Sequence, residues 1–205
     1  MSDVLIPGGR DVRGTLTEPA GDPAAVVVAC PPHPQHGGHR SDPRLVAVSE
    51  RLAEAGIACL RIDYGPWDDG YGEREDVRNA IRWATDRDEA DVPVGVFGYS
   101  FGAAQALLAA ADVDREVAAI SVLAPPTRLD DDLDALAALE ALACPVQLLY
   151  GERDSTVDCE PLVERARERG DTVTGLSGDH FFVGQHGKIA DAVGGFLEDV
   201  LLESA

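Results

Sequence analysis

The sequence predicts an α/β fold, a mostly parallel sheet of about eight strands with helices on both faces. Three observations point to it. Short runs rich in valine and isoleucine recur along the chain, and runs such as Ala24 to Cys30 are continuously apolar, the pattern of strands buried on both faces. Between them lie segments whose apolar residues recur at helical spacing. The alternation of the two continues through all 205 residues without a shift in composition or a linker, so one domain spanning residues 1–205 is expected.

The elements follow in order. A short opening pair of strands covers Val4 to Ile6 and Val12 to Thr17, and the valine-rich run Ala24 to Cys30 reads as a central strand. Leu45 to Ala55 is helical in its spacing and stops at Gly56, after which Ile57 to Ile62 is again strand-like. Glu73 to Arg87 forms an amphipathic helix and Val92 to Phe97 a buried strand. Phe101 to Ala111, rich in alanine and leucine, is a helix, and Val117 to Leu123 a strand. A helix over Leu129 to Leu142, a strand over Val146 to Tyr150, a helix over Pro161 to Arg169, a last strand over Thr172 to Leu176 and a closing helix over Ile189 to Leu202 complete the series. In sheets of this kind ligands bind beyond the carboxyl ends of the strands, so the residues just after each strand are the ones to inspect.

Charge excludes several classes of partner. Against 37 Asp and Glu stand 17 Lys and Arg, a formal charge of −20, and Lys188 is the only lysine. A field of that sign repels phosphate backbones and anionic lipid, so neither nucleic acid nor a membrane is expected as a partner. Carboxylate-rich, lysine-poor surfaces resemble those of salt-adapted proteins, in which self-repulsion is screened. Met1 to Arg10 contains no basic segment leading into an apolar one, and no stretch approaches the roughly 18 apolar residues of a membrane span, so a cytoplasmic location is expected. The cysteines, Cys30, Cys59, Cys144 and Cys159, are far apart and form no CxxC pair, which reads as four free, structural thiols.

The strongest local signal is Gly98-Tyr99-Ser100-Phe101-Gly102, set between a buried strand and an alanine-rich helix. This is a G-x-S-x-G nucleophile elbow in the context it needs, because a tight strand-to-helix turn lifts the serine hydroxyl above the sheet. Ala103 and Ala104 let the helix approach the strand closely. A serine hydroxyl is a weak nucleophile and needs a base that is itself oriented by a carboxylate. Gly151-Glu152-Arg153-Asp154 and Gly178-Asp179-His180-Phe181-Phe182 each follow a strand, which places Asp154 and His180 in loops on the face that carries Ser100. Asp158 or Glu152 could take the place of Asp154, and Asp179 adjoins the histidine, where it would brace the loop. Acyl transfer also needs two backbone amides aimed at the oxyanion, each worth roughly 2.7 to 4 kcal/mol. Phe101, next to the nucleophile, should supply one. The loop after the third strand, Cys30 to His39, should supply the other, and because Pro31, Pro32 and Pro34 lack an N–H, His33 is the residue of that proline cluster able to donate. His33, His36 and His39 do not have zinc-motif spacing and no sulfur or acidic ligand lies among them, so no metal is expected.

Taken together, Pro32-His33-Pro34 with Gly37-Gly38, Arg61-Ile62-Asp63-Tyr64, the elbow, Ala124-Pro125-Pro126, Gly151-Glu152-Arg153-Asp154 and Gly178-Asp179-His180-Phe181-Phe182 resemble the α/β-hydrolase superfamily, and in particular its small bacterial and archaeal serine hydrolases akin to dienelactone hydrolases. The resemblance covers nearly the whole chain. It implies Ser100, Asp154 and His180 as a catalytic triad, with His33 and Phe101 as the oxyanion amides. This chain departs from close relatives, which usually carry His-Pro-His-Pro where it has Pro31-Pro32-His33-Pro34, and from true dienelactone hydrolases, which carry cysteine where Ser100 stands. Where larger relatives insert a helical lid, between Leu123 and Val146, there is room only for Ala124-Pro125-Pro126 and one helix, so no lid domain is expected. Tyr64, Trp67 and Phe181 are candidates for the apolar walls of an open site.

These readings imply hydrolysis of a small carboxylic ester or thioester through an acyl-enzyme, with a small-molecule substrate and no cofactor. A peptidase or acyltransferase would use the same triad, and a non-catalytic binding protein could occupy the same fold. A homodimer is left open.

Overall fold

The computed structural model describes residues 1–87 and 92–203. In chain order the elements are β1 (Ser2–Ile6), β2 (Val12–Thr17), β3 (Ala25–Cys30), α1 (Pro43–Glu54), β4 (Ile57–Asp63), α2 (Tyr71–Asp86), β5 (Val94–Tyr99), α3 (Phe101–Ala110), β6 (Ala119–Leu123), β7 (Arg128–Asp130), β8 (Leu133–Asp134), α4 (Ala135–Ala141), β9 (Val146–Gly151), α5 (Glu160–Arg169), β10 (Thr172–Leu176) and α6 (His186–Glu203). Eight strands form one sheet in the order β1-β2-β4-β3-β5-β6-β9-β10. β1 and β2, and β2 and β4, pair antiparallel, and the remaining neighbours pair parallel. This is the fold class the alternating sequence pattern predicts, and among the described residues only β7, β8 and α4 lie between β6 and β9, where a lid would insert.

The continuous apolar runs are explained by what lies on each face. Along β3, Val26 and Val28 pack into a core shared with Val77 and Ile81 of α2, Leu107 of α3, Leu139 of α4 and Leu162 of α5. Val27, pointing the other way, packs with Leu45 and Leu52 of α1 and Leu197 and Leu201 of α6. A strand with no solvent face shows no polar alternation. Burial also explains the thiols. Cys30 and Cys59 lie in opposite cores, all four cysteines are free, and burial pushes the Cys59 thiol up to about 12 despite the nearby Arg61.

One predicted element is corrected. The helix expected over Leu129 to Leu142 is a small antiparallel hairpin, β7 with β8, followed by the shorter α4. Asp134 accepts hydrogen bonds from the N–H groups of Leu136 and Ala137, both 3.0 Å, and so caps α4 at Ala135. Apolar spacing alone does not distinguish Leu129 and Leu133 in a hairpin from the same residues in a helix.

An ion pair between a half-buried arginine and a buried carboxylate anchors the loop that follows β4. Arg10 Nε lies 2.6 Å from Asp76 Oδ1, whose other oxygen accepts the Gly65 N–H at 2.9 Å. Glu73 accepts from the N–H groups of Asp68 and Gly70. Burial pushes the Asp76 carboxyl up, against the opposing pull of Arg10 and the Gly65 amide. The segment carrying Trp67 is therefore fixed at both ends. Among the described residues, no helix is long and apolar enough to cross a membrane.

Candidate active site

β5 ends at Tyr99 and the chain turns into α3 through Ser100, whose backbone is left-handed at φ 56° and ψ −120°. The flanking glycines serve a different need. A Cβ on Gly98 would lie 2.2 Å from the Gly102 carbonyl oxygen, and one on Gly102 would lie 2.3 Å from the carbonyl oxygens of Cys30 and Pro31. The glycines thus permit backbone contact, while the strain of the elbow falls on the nucleophile position itself. The Ser100 N–H donates to Leu123 O at 2.8 Å, tying the elbow to the end of β6.

Ser100 Oγ lies 2.8 Å from His180 Nε2, and His180 Nδ1 lies 2.7 Å from Asp154 Oδ2. The Asp154 side chain is 1% exposed. Its Oδ1 accepts the N–H groups of Thr156 at 2.8 Å and Val157 at 3.3 Å, which leaves Oδ2 aimed at the ring. The two loops touch because residue 151 is glycine, since a Cβ there would meet the Gly178 and Asp179 carbonyl oxygens at 2.9 and 3.0 Å. Two of the three competing acids point elsewhere. Asp158 accepts the Glu160 N–H at the start of α5, and Asp179 accepts the Phe181 N–H, so it braces its own turn.

Three residues that the sequence reading passed over hold the His180 loop. The Tyr99 hydroxyl donates to the His180 carbonyl at 2.8 Å, and burial pushes its pKa up to about 12, so it stays a donor. Arg44 Nη1 donates to the Phe181 carbonyl at 2.7 Å, Nε donates to Asp42 at 2.8 Å, and the guanidinium stacks 4.3 Å above the Tyr99 ring. Asp42 also accepts the Arg44 N–H as the cap of α1. The sequence signal was Asp42-Pro43, a helix cap followed by proline at the first helical position. Arg44→Ala strands the buried Asp42 carboxylate and frees the Phe181 carbonyl, and should cost about 2 kcal/mol. Urea denaturation is the check, and a loss within experimental error would mean that Arg44 does not anchor this loop.

Phe101 opens α3, so its N–H has no acceptor within the helix. His33 follows Pro32 in a loop folded tightly on itself, where a Cβ on Gly38 would lie 2.0 Å from the Pro32 carbonyl oxygen. Both residues line the cleft that also holds Ser100. The His33 ring stacks with His36 at 4.5 Å between centroids and lies 4.7 Å from Trp67 and 4.8 Å from Phe101. Burial, and then His36, lowers its pKa. His33 and His39 each turn Nδ1 to a backbone N–H of their own loop, Gln35 and Ser41 respectively.

The candidate walls divide. Phe181 lines the cleft and is 57% exposed. Tyr64 does not line it. This residue is buried behind Phe101, with its hydroxyl donating to the Pro31 carbonyl at 3.0 Å, and it supports the proline loop from below. Trp67 lines an adjoining cavity. The cleft encloses about 600 Å³, with apolar walls from Pro32, Phe101, Pro126, Leu129, Val157 and Phe181. Asp42, the one carboxylate among its described lining residues, is engaged by Arg44.

Residues 40–175, which include Ser100 and Asp154 and end before His180, match the family model described as X-Pro dipeptidyl-peptidase (S15 family). The chain is 26% identical to an α/β serine hydrolase homologue from Coxiella burnetii, with a TM-score of 0.82 over 96% of this chain and 97% of that one. A lidless α/β serine hydrolase from Xanthomonas campestris aligns at 21% identity and TM-score 0.78, covering 98% and 94%. A dienelactone hydrolase from Anabaena variabilis aligns at 24% identity and TM-score 0.74, covering 98% and 96%.

Proposed function

The chain belongs to the X-Pro dipeptidyl-peptidase (S15) family and has an α/β serine hydrolase fold, and from that premise we propose that it is a serine hydrolase of small carboxylic esters. The observation that carries the proposal is the unbroken relay Ser100–His180–Asp154, at 2.8 and 2.7 Å, opening on a cleft with apolar walls. His180 takes the proton as Ser100 Oγ bonds to the acyl carbon, Asp154 holds the imidazolium, and the Phe101 and His33 amides receive the oxyanion. His180 then returns the proton to the departing alcohol, and water activated by the same ring releases the acid.

The family match favours a second reading, in which a dipeptide is removed from a peptide amino terminus. Such a substrate presents an ammonium group, which a binding site would meet with an uncommitted carboxylate. Asp42 already serves Arg44 and the α1 cap, and this favours a neutral acyl ester. The test is mass spectrometry after treatment with a fluorophosphonate, followed by rates on p-nitrophenyl acetate and on an Xaa-Pro p-nitroanilide. A single adduct that is absent from Ser100→Ala, with ester turnover well above anilide turnover, is expected. Anilide turnover exceeding ester turnover would select the peptidase, and no adduct on folded protein would remove catalysis altogether.

A further inference from the structure

A second cavity, of about 500 Å³, adjoins the cleft and shares His33, Phe101 and Leu129 with it. It borders neither Ser100 nor His180. Its lining joins three clustered rings, with Trp67 centred 4.7 Å from His33 and 5.8 Å from Phe101, to the charged side chains of Asp69, Arg128 and Asp130. The Trp67 indole N–H is held by Asp69 Oδ1 at 3.1 Å, and the Arg10–Asp76 pair with Glu73 fixes the segment that carries it. At the rim, the Tyr71 hydroxyl donates to Asp130 at 3.3 Å. These contacts form a built surface lying beside the oxyanion amides and away from the base.

Resting on the ester-hydrolase reading, we infer that this second cavity is an acyl subsite for a flat, uncharged group, an aromatic ring above all, at the end of the substrate's acyl chain. The geometry of the reaction assigns the side. His180 Nε2 must reach the leaving oxygen to protonate it, so the alcohol portion lies against His180. The carbonyl oxygen points to Phe101 and His33. The acyl substituent leaves the carbonyl carbon on the remaining side, and a chain that runs past His33, Phe101 and Leu129, the residues both cavities share, reaches the Trp67 cavity. Three ring walls favour a planar group in stacked or edge contact. Asp69 and Asp130 repel a terminal carboxylate and accept from a hydroxyl, while Arg128, which lines the same cavity, is paired with Asp134.

The experiment compares p-nitrophenyl acetate with p-nitrophenyl phenylpropanoate. In each, the Ser100 Oγ–carbon bond forms, the ester carbon–oxygen bond breaks, p-nitrophenolate departs and the serine proton passes to His180. The phenylpropanoate should be preferred at least tenfold in kcat/KM. Trp67→Ala should reduce that preference at least fivefold, and Trp67→Phe, which keeps a ring, should preserve most of it. Leu129→Trp, which adds bulk at a residue lining both cavities, should lower the same ratio and stands independently if Trp67→Ala does not fold. A ratio unmoved by Trp67→Ala and Leu129→Trp would overturn the subsite while leaving the hydrolase reading intact. If neither ester acylates Ser100, the hydrolase reading fails and the subsite fails with it.

Discussion

Asp154→Asn should lower kcat on p-nitrophenyl acetate by about four orders of magnitude while leaving the melting temperature within a few degrees of the parent. The size of the effect follows from how the side chain is fixed. Asp154 Oδ1 accepts two backbone N–H groups, from Thr156 and Val157. An asparagine placed there keeps its carbonyl oxygen on those donors, which turns its NH₂ toward His180. The ring nitrogen now facing a donor, Nδ1, must accept, so the proton moves to Nε2, and Nε2 can no longer take the proton of Ser100. The volume hardly changes, so packing survives. A loss below tenfold would show that the Tyr99 and Arg44 contacts to the loop carbonyls suffice to keep the ring in its working tautomer.

Gly102→Ala should destabilise the protein by about 3 kcal/mol or more, read as a fall in melting temperature of about 6 to 12 °C. The obstruction is rigid. The added methyl group would meet the carbonyl oxygens of Cys30 and Pro31 at 2.3 Å; Cys30 ends β3, where it pairs with Gly98 of β5, and Pro31 follows it directly, so neither can retreat without disturbing the sheet. Since Pro31 leads directly to His33, the displacement would also move one proposed oxyanion amide relative to the other. Activity should therefore fall by more than the unfolded fraction explains. A variant as stable as the parent would mean that α3 can slide along β3, which its burial throughout argues against.

The fold was legible because a sheet buried on both faces leaves a signal in each strand separately. Ala25–Cys30, Ile57–Asp63 and Val94–Tyr99 each declare themselves without reference to the others. The candidate catalytic residues were legible for a related reason, since Ser100, Asp154 and His180 each follow a strand closely in sequence. The supporting residues are otherwise placed. Arg44 lies 137 positions from the Phe181 carbonyl it binds, and Tyr99 lies 81 from that of His180. No periodicity encodes a pairing of that kind. Tyr64 shows the same limit in reverse, because its position after Asp63 suits a site wall, whereas the direction of its side chain depends on the Pro31 carbonyl. The hairpin at Arg128–Asp134 was missed because its leucines are equally spaced for a helix.

The left-handed backbone at Ser100 restricts what evolution or an engineer could install there. A branched Cβ is strongly disfavoured at φ 56°, so threonine, although it offers a hydroxyl, is closed to this position. Cysteine and aspartate have an unbranched Cβ and fit the same backbone. The elbow therefore acts as a filter on mutational drift, allowing the chemistry to pass from an alcohol to a thiol or a carboxylate nucleophile but never to a secondary alcohol.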